Sequence, residues 1–314
     1  LARYLLPVYV TSVVLGASSG GFCTTQSPQS GASVSTFSSS VAHQFAQLKE
    51  MMTEDDSATL NRLEAIGSAS LKILEGYAAR DLIDGYVSIG DKKRGGNWSR
   101  PVRADRFITD AKRYRAAWRA MCSDLQGGAI DIVNTNAALY TTIQALACAY
   151  DLKSRGSRKT PGTFFEILVG AIMSQKLKSP RAKQVIVEVE GESVIVPTDI
   201  FFESRRLIVA TKTSSRDRII QPWGHQLLLD RIADSLKTPR YSSVLCLVGE
   251  VQLGRDEKRP CYPVCVPKQV TLYQKHVAQM KGLYYLDPPK AYLALSEQGI
   301  IPVKTIGDLL SEIT

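Results

Sequence analysis

The chain has 314 residues, of which 22% are charged, and its formal net charge of +9 favours a polyanionic partner. It contains no Walker loop and no GxGxxG fingerprint, so the sequence does not indicate ATP or dinucleotide use. The three histidines are widely separated and the six cysteines form no CxxC pair, which argues against a His-rich or zinc site and favours reduced cysteines, as expected in the cytoplasm.

The first forty residues divide into an apolar segment, 5–16, and a Ser-rich segment, 17–40. The apolar segment is too short for a convincing transmembrane helix, and its proline and β-branched residues suit a strand or an irregular core segment. We expect an ordered N-terminal segment; a targeting signal is the alternative. The Ser-rich segment has the composition of a flexible linker.

Apolar periodicity predicts a mainly helical region from about residue 41 to 150. The predicted helices are a run through Met52, and residues 60–83, 105–121 and 130–150.

Basic residues are concentrated in this region, with ten Lys or Arg against three acids between Asp91 and Arg119. A glycine-rich loop with one tryptophan, 91–103, can follow a phosphate backbone and enter a groove. A solvated surface loop is the alternative. The predicted DNA-contacting residues are Lys92, Lys93, Arg94, Asn97, Trp98, Arg100 and Arg103, joined by Arg155, Arg158 and Lys159 ahead of the next helix and by Arg216.

Beyond residue 150 a helix is followed by alternating strands and helices. The predicted strands are two around Gly191 in 184–196, and 200–202, 207–210, 243–249, 262–266 and 283–286. The predicted helices are 161–172, 219–236, 270–280 and 306–313. This pattern predicts an α/β (α+β) fold with a mixed central sheet flanked by helices, and a mainly helical N-terminal region packed on it.

A predicted hairpin brings one carboxylate and one ammonium together. Strands 200–202 and 207–210 are joined by a polar turn, so antiparallel pairing places Asp199 beside Lys212. Mg²⁺ prefers carboxylate oxygen, water and phosphate as ligands, and a neighbouring ammonium can orient the attacking water. The structural alternative is that the two polar residues mark the points where the strands reach solvent.

Two further groups join this pair. Glu166 is the single acid on the apolar helix 161–172, and a buried carboxylate of this kind needs a cation as partner. Arg218 lies six residues after Lys212, within reach of the same phosphate if the strand leads directly into the next helix.

The order Glu166, Pro197-Thr198-Asp199, Lys212-Thr-Ser-Ser-Arg-Asp-Arg218 resembles the PD-(D/E)xK nuclease superfamily, and within it the type II restriction endonucleases of the EcoRII-like, CCGG-cutting branch. The resemblance covers about residues 155–250. It implies a nuclease core at 151–314, preceded by the region 1–150. It also implies that Asp199 and Glu166 hold one Mg²⁺, that Lys212 is the catalytic lysine and that Arg218 contacts the phosphate.

The sequence departs from this pattern at two positions. The acid expected two residues before the lysine is Ala210, and the glutamate that compensates in the EcoRII-like branch falls at or beside His225. His225 is therefore a candidate ligand or water-positioning group, with a structural hydrogen-bonding role as the alternative.

The resemblance implies a Mg²⁺-dependent, sequence-specific endonuclease that cuts double-stranded DNA by attack of a metal-activated water. It further implies a homodimer, a prokaryotic cytoplasmic location, no membrane association, and a cognate DNA methyltransferase in the same restriction-modification system. The alternatives are a structure-specific or repair nuclease of the same superfamily, and a non-catalytic DNA-binding protein with a degenerate nuclease core.

Overall fold

The computed structural model describes residues 56–91, 97–153, 159–216, 219–256 and 258–313. In the first half of the chain these residues form α1 (Asp56–Leu74), β1 (Ala78–Asp81), β2 (Tyr86–Gly90), β3 (Val102–Arg103), α2 (Ala111–Leu125), α3 (Ile132–Lys153) and α4 (Thr160–Leu177). The second half forms β4 (Ala182–Val189), β5 (Glu192–Phe202), β6 (Leu207–Lys212), α5 (Ile220–Leu236), β7 (Ser242–Leu247), β8 (Val251–Asp256), β9 (Arg259–Pro263), α6 (Pro267–His276), β10 (Gly282–Tyr285), α7 (Lys290–Glu297), β11 (Val303–Thr305) and α8 (Ile306–Glu312). No helix in these ranges combines the length and the apolar character needed to cross a bilayer.

The central sheet has six strands in the order β11-β10-β7-β6-β5-β4. Strands β6, β7, β10 and β11 are parallel, whereas β5 pairs antiparallel with both β6 and β4. The carboxyl ends of the parallel strands therefore lie at one edge of the sheet. Because β5 runs in the opposite direction, the residues preceding its pairing with β6 reach the same edge.

The two faces of the sheet carry separate apolar layers, as expected for strands buried on both sides. Leu207 and Val209 of β6 belong to the core that also contains α1, α3 and α4. Side chains alternate between the two faces of a strand, so Ala210 lies on the face opposite Leu207 and Val209. It packs in the cluster with Trp223 of α5 and residues of α6 and α7. Helices α4 and α5 thus cover opposite faces of the sheet.

The fold confirms the predicted class, a mixed central sheet flanked by helices with a helical N-terminal region. The predicted helix 60–83 was wrong beyond Leu74, because β1 and β2 form a hairpin there. Its turn contains Asp84 and Gly85 with φ of 56° and 75°, and two consecutive positive φ values favour Asp-Gly. The chain beyond Leu74 therefore folds back as a strand pair, which becomes part of a three-stranded sheet with β3.

In the second half, the hairpin predicted around Gly191 is present as β4 and β5. The strand predicted at 262–266 lies slightly earlier, as β9, and pairs with β8 in a separate hairpin rather than in the central sheet. The sequence analysis missed β8, α7 and β11. Each is short or lacks a clear apolar period, so the local pattern carried little signal.

Other predictions fall where the structure gives no test. The apolar segment 5–16, the Ser-rich segment 17–40 and the helix through Met52 lie outside the described residues. The division at residue 150 also stays a prediction, and α3 runs across it.

Candidate active site

Asp199 and Lys212 lie side by side at the edge of the central sheet. Antiparallel pairing of Ile200 with Val209 sets the register, and the Lys212 Nζ donates to Asp199 Oδ2 at 2.9 Å. Both side chains are about three-quarters buried. The predicted juxtaposition of the two residues is confirmed.

The two oxygens of the Asp199 carboxylate have different surroundings. Oδ2 accepts the backbone N–H of Thr211 at 2.7 Å and the Lys212 ammonium, with the Thr211 hydroxyl at 3.4 Å. Within the described part of the chain, Oδ1 accepts no hydrogen bond from a protein group. The side chain is thus held by one oxygen and presents the other.

A β-bulge explains why Asp199 leaves the regular ladder. Ala182 pairs with Phe201 and Gln184 with Pro197, so two residues of advance along β4 correspond to four along β5. Extra residues of this kind bend a strand and re-aim side chains. Pro197 has no N–H to donate, which suits the same interruption. The carboxylate of Asp199 then accepts the Thr211 N–H, at the point where β5 and β6 cease to pair.

A cleft lies between this edge of the sheet and the start of α5. It is lined by Pro197, Thr198, Asp199, Ile208, Ala210, Lys212, Gln221, Pro222, His225 and Ser243. Two of its hydroxyls, those of Thr198 and Ser243, are buried and have no hydrogen-bond partner among the described residues. Protein atoms enclose both of these hydroxyl oxygens.

His225, on the first half of α5, faces the same cleft. Its pKa is lowered from the ordinary value, chiefly by burial and also by the Lys212 charge, while Asp199 opposes the shift. Burial disfavours the charged imidazolium, so the neutral ring is favoured near pH 7. A neutral ring has one nitrogen free to accept a proton or a hydrogen bond.

Among the lining residues, Asp199 carries the carboxylate. The position two residues before Lys212, where a second acid was expected, is Ala210. Among the residues that the structure describes, no group of three or more His, Cys, Asp or Glu side chains comes together in a form that would hold a metal ion.

Glu166 is not among the residues that line the cleft. Its carboxylate accepts from the Lys183 Nζ at 2.8 Å and is 22% exposed. Helix α4, which carries it, packs on the face of the sheet opposite α5. The ion pair links α4 to β4, and the role of Glu166 as a metal ligand stays a prediction.

Several predicted DNA-contacting residues already have intramolecular partners. Arg100 forms two side-chain hydrogen bonds to Asp151, at 2.8 and 2.9 Å. The Arg103 guanidinium donates to the Asp84 carbonyl oxygen at 2.8 Å. The indole of Trp98 lies under the Arg80 guanidinium, 4.3 Å from the ring centroid. These contacts give the three residues structural roles as well.

Asn97 and Arg216 are exposed, and Lys159 is the residue that precedes the first turn of α4. The remaining predicted site residues, Lys92, Lys93, Arg94, Arg155, Arg158 and Arg218, lie outside the described residues.

The sequence analysis missed Glu250, which follows β7 and is 1% exposed. Its two carboxylate oxygens accept the Ser215 N–H at 2.8 and 3.0 Å, and one also accepts the Tyr285 hydroxyl at 2.9 Å. Burial raises its pKa to about 7, although the hydrogen bonds and the Arg216 charge oppose the shift. An acid directly after an apolar strand was the available sequence signal.

Asp287, which follows β10, is a second buried carboxylate that the sequence analysis did not identify. It accepts the Tyr86 hydroxyl at 2.6 Å, and the Arg106 guanidinium lies 3.6 Å away. Burial raises its pKa above the ordinary value. Tyr86 is 201 residues away in sequence, so no local pattern predicts this contact.

Taken together, the mixed sheet, its flanking helices and the helical N-terminal region define a restriction-endonuclease-like fold. The chain is similar to the solved structure of the type IIP restriction endonuclease Kpn2I, with a TM-score of 0.70 and 26% identity over 87% of this chain and 96% of that chain. No family model matches the sequence, and no curated protein does. The structural similarity supports a nuclease function.

Proposed function

We propose that this protein is a Mg²⁺-dependent, sequence-specific type II endonuclease that hydrolyses phosphodiester bonds of double-stranded DNA. The observation that carries the proposal is the Asp199 carboxylate, fixed through Oδ2 by the Thr211 N–H and the Lys212 ammonium. The similarity to Kpn2I supports the nuclease part of this proposal.

The residues of the cleft fit Mg²⁺. This ion prefers oxygen ligands, retains several waters and is commonly bound through one or two carboxylates together with substrate phosphate. Asp199 Oδ1 is the protein oxygen that would hold it, and water and substrate phosphate would supply the remaining ligands. When bound, the ion supplies Lewis-acid polarisation of the phosphate and lowers the pKa of water.

The remaining steps fall to the side chains themselves. The Lys212 ammonium, held by Asp199, orients the attacking water and offsets the negative charge that develops on the phosphate oxygens. Thr211 fixes the carboxylate through its backbone N–H. His225, favoured as the neutral ring, accepts a hydrogen bond from water at the mouth of the cleft.

We further propose that the protein acts as a homodimer, because two-fold protein symmetry matches a palindromic duplex site. A cognate methyltransferase would protect the host sites. Exposed basic residues contact the phosphate backbone, which positions the duplex without reading its sequence.

The test is cleavage of unmethylated phage and plasmid DNA in Mg²⁺, with duplex binding measured in Ca²⁺. Asp199→Asn and Lys212→Met should each lower the cleavage rate on the order of 10²- to 10³-fold or more, because each removes a charge at the reacting phosphate. Duplex binding should change little. Glu192→Gln and Lys275→Met, at exposed positions, are the matched controls and should cut like the wild type.

The outcomes separate the alternatives. Discrete fragments of fixed size support a sequence-specific enzyme, whereas cutting confined to branched or damaged DNA would indicate a structure-specific or repair nuclease. The presence of Ala210 where a second carboxylate is expected favours one further candidate, a non-catalytic DNA-binding protein. That candidate predicts salt-sensitive binding and no Mg²⁺-dependent product. Full activity in either active-site variant would refute the proposed roles.

A further inference from the structure

The chain leaves the central sheet immediately after Lys212, and the segment that follows β7 accompanies it. The backbone N–H of Val248 donates to the Lys212 carbonyl oxygen at 3.3 Å, and the N–H of Gly249 donates to that of Thr213 at 3.4 Å. The two segments thus stay hydrogen-bonded beyond the ends of β6 and β7, as far as Thr213 and Gly249.

The next contact in this series is made by a side chain. Ser215 is fully buried, and a buried peptide N–H without an acceptor is costly. Both oxygens of Glu250 accept it, at 2.8 and 3.0 Å. The carboxylate therefore accepts the Ser215 N–H in place of a backbone carbonyl oxygen, at the point where the two segments separate.

Ser215 has a second anchor on the other side of the segment. Its hydroxyl lies 2.6 Å from the Tyr292 hydroxyl, which also accepts the Val266 N–H at 2.9 Å. Tyr285 of β10 donates to Glu250. The segment 213–216 is thus tied to β7, β10 and α7, within three residues of Lys212.

If Glu250 served stability alone, a buried charged carboxylate would be a costly acceptor for one backbone N–H, because burying a charge is unfavourable. Glu250 is 1% exposed, and well-packed apolar residues often replace buried charges without loss of stability. The titratable or charged groups that face it are Arg216 on the segment itself, Tyr285 on β10, Tyr292 on α7 and Cys265 ahead of α6. Arg216 is the cation among them.

We propose that Glu250 is a positioning residue for catalysis, which fixes the segment 213–216 and through it the placement of the Lys212 ammonium in the cleft. This inference rests on the proposed nuclease function. The ionised carboxylate holds the Ser215 N–H and attracts Arg216, and the protonated acid does so less well. The hydrogen bonds and Arg216 favour the ionised form, and burial raises the pKa of Glu250 to about 7. This local contact therefore weakens as the pH falls through neutrality, although the burial cost changes global stability in the opposite direction.

The experiment compares the wild type with Glu250→Gln, which keeps the size and one acceptor but carries no charge. Single-turnover cleavage is measured from pH 6 to 8.5, and hydrogen exchange of the 213–216 backbone is measured in the DNA-free protein over the same range. At pH 8 the variant should cleave about 10- to 100-fold more slowly, the loss expected when a reacting group is slightly misplaced, with duplex binding unchanged.

The pH dependence separates positioning from folding. In the wild type, the cleavage rate and the protection of the Ser215 N–H should both fall below pH 7, and in Glu250→Gln this component should be absent from both. Asp287→Asn is the matched control, because Asp287 is also a buried carboxyl group with a raised pKa at a neighbouring strand end but contacts Tyr86 instead. It should retain the wild-type pH dependence of the Ser215 exchange.

The two readouts keep this inference distinct from the proposed function. If the wild type cuts no DNA but its Ser215 protection depends on Glu250 as described, the nuclease proposal fails, whereas the fixing of the segment 213–216 by Glu250 is supported. If the wild type cuts DNA and Glu250→Gln has the same pH profile and the same Ser215 exchange, the positioning role is refuted.

Discussion

At the scale of single residues, Glu250 combines a structural contact with an energetic cost. Its ionised form accepts three hydrogen bonds, yet burial raises its pKa from the ordinary 4.5 to about 7. The folded protein therefore binds a proton at Glu250 more tightly than the unfolded chain does. Stability from this source is fully present below pH 4.5 and is lost as the pH rises through 7.

Glu250→Gln should remove this pH dependence. The difference between 7 and 4.5 corresponds to about 3 kcal/mol across the full range, since one pKa unit is about 1.4 kcal/mol. Relative to the variant, the wild type should lose stability on going from pH 5 to pH 8, by a large part of that amount. Urea unfolding of both proteins at several pH values measures it.

Glu192→Gln, at an exposed hairpin position, is the control and should follow the wild type at every pH. Parallel curves for the wild type and Glu250→Gln would contradict the raised pKa. The expected direction also helps the positioning test. Unlike the wild type, Glu250→Gln should not lose stability from this source between pH 5 and pH 8. Slower cleavage by the variant at pH 8 would therefore not reflect such a loss.

At the scale of secondary-structure elements, two ion pairs join segments that the sequence suggested for function. Glu166 and Lys183 link α4 to β4, and Arg100 and Asp151 link the segment ahead of β3 to α3. Each pair occupies a side chain that was predicted to contact a metal ion or DNA. Whether the contact is structural or functional can be measured for both.

For Glu166, the comparison is Glu166→Gln against Lys183→Met. If Glu166 is a metal ligand, only Glu166→Gln should abolish cleavage and raise the Mg²⁺ concentration required, while Lys183→Met frees the carboxylate and retains activity. If the pair only joins α4 to β4, both variants should cut DNA alike. Cleavage rates over a Mg²⁺ titration and calorimetric Mg²⁺ binding distinguish the two results.

For Arg100, a double-mutant cycle with Asp151 measures the coupling between α3 and the preceding segment. The pair is charge-assisted and its side chains are 34% and 27% exposed, so we expect about 1 to 2 kcal/mol of coupling in unfolding experiments. Arg240 and Asp234 form the matched exposed pair, for which a smaller coupling is expected because solvent screens the interaction.

Negligible coupling for Arg100 and Asp151, together with weaker DNA binding of Arg100→Ala, would instead assign this arginine to the DNA interface. Appreciable coupling with unchanged DNA binding would assign it to the fold.

At the scale of the whole molecule, charged side chains gather where the parallel strands end. Lys212, Glu250 and Asp287 follow or terminate β6, β7 and β10, and the crevice outside the carboxyl ends of strands is where open α/β sheets bind ligands. The N-terminal region reaches the same edge, because Tyr86 donates to Asp287 and Arg106 donates to the Leu286 carbonyl oxygen at 2.8 Å. Part of the basic region is thus anchored beside the proposed catalytic edge.

The sequence alone determined the fold class and the pair at the centre of the site. Asp199 and Lys212 are 13 residues apart, and hairpin pairing fixes their proximity through local register. Helix α4 and the hairpin around Gly191 follow equally from local patterns, the first from its apolar run and the second from the glycine between two strand-like runs, where Glu190 and Gly191 adopt positive φ. These features depend on contacts between residues close in sequence.

Tertiary structure alone decided which partners the other charged residues take. Glu250 meets Ser215 across 35 residues and Asp287 meets Tyr86 across 201, so their burial and raised pKa values depend on how distant strands end together. It also placed Glu166 against Lys183 and Arg100 against Asp151. Side chains of these types are compatible with solvent, metal, DNA or an ion pair, and only the packing of the elements selects among them.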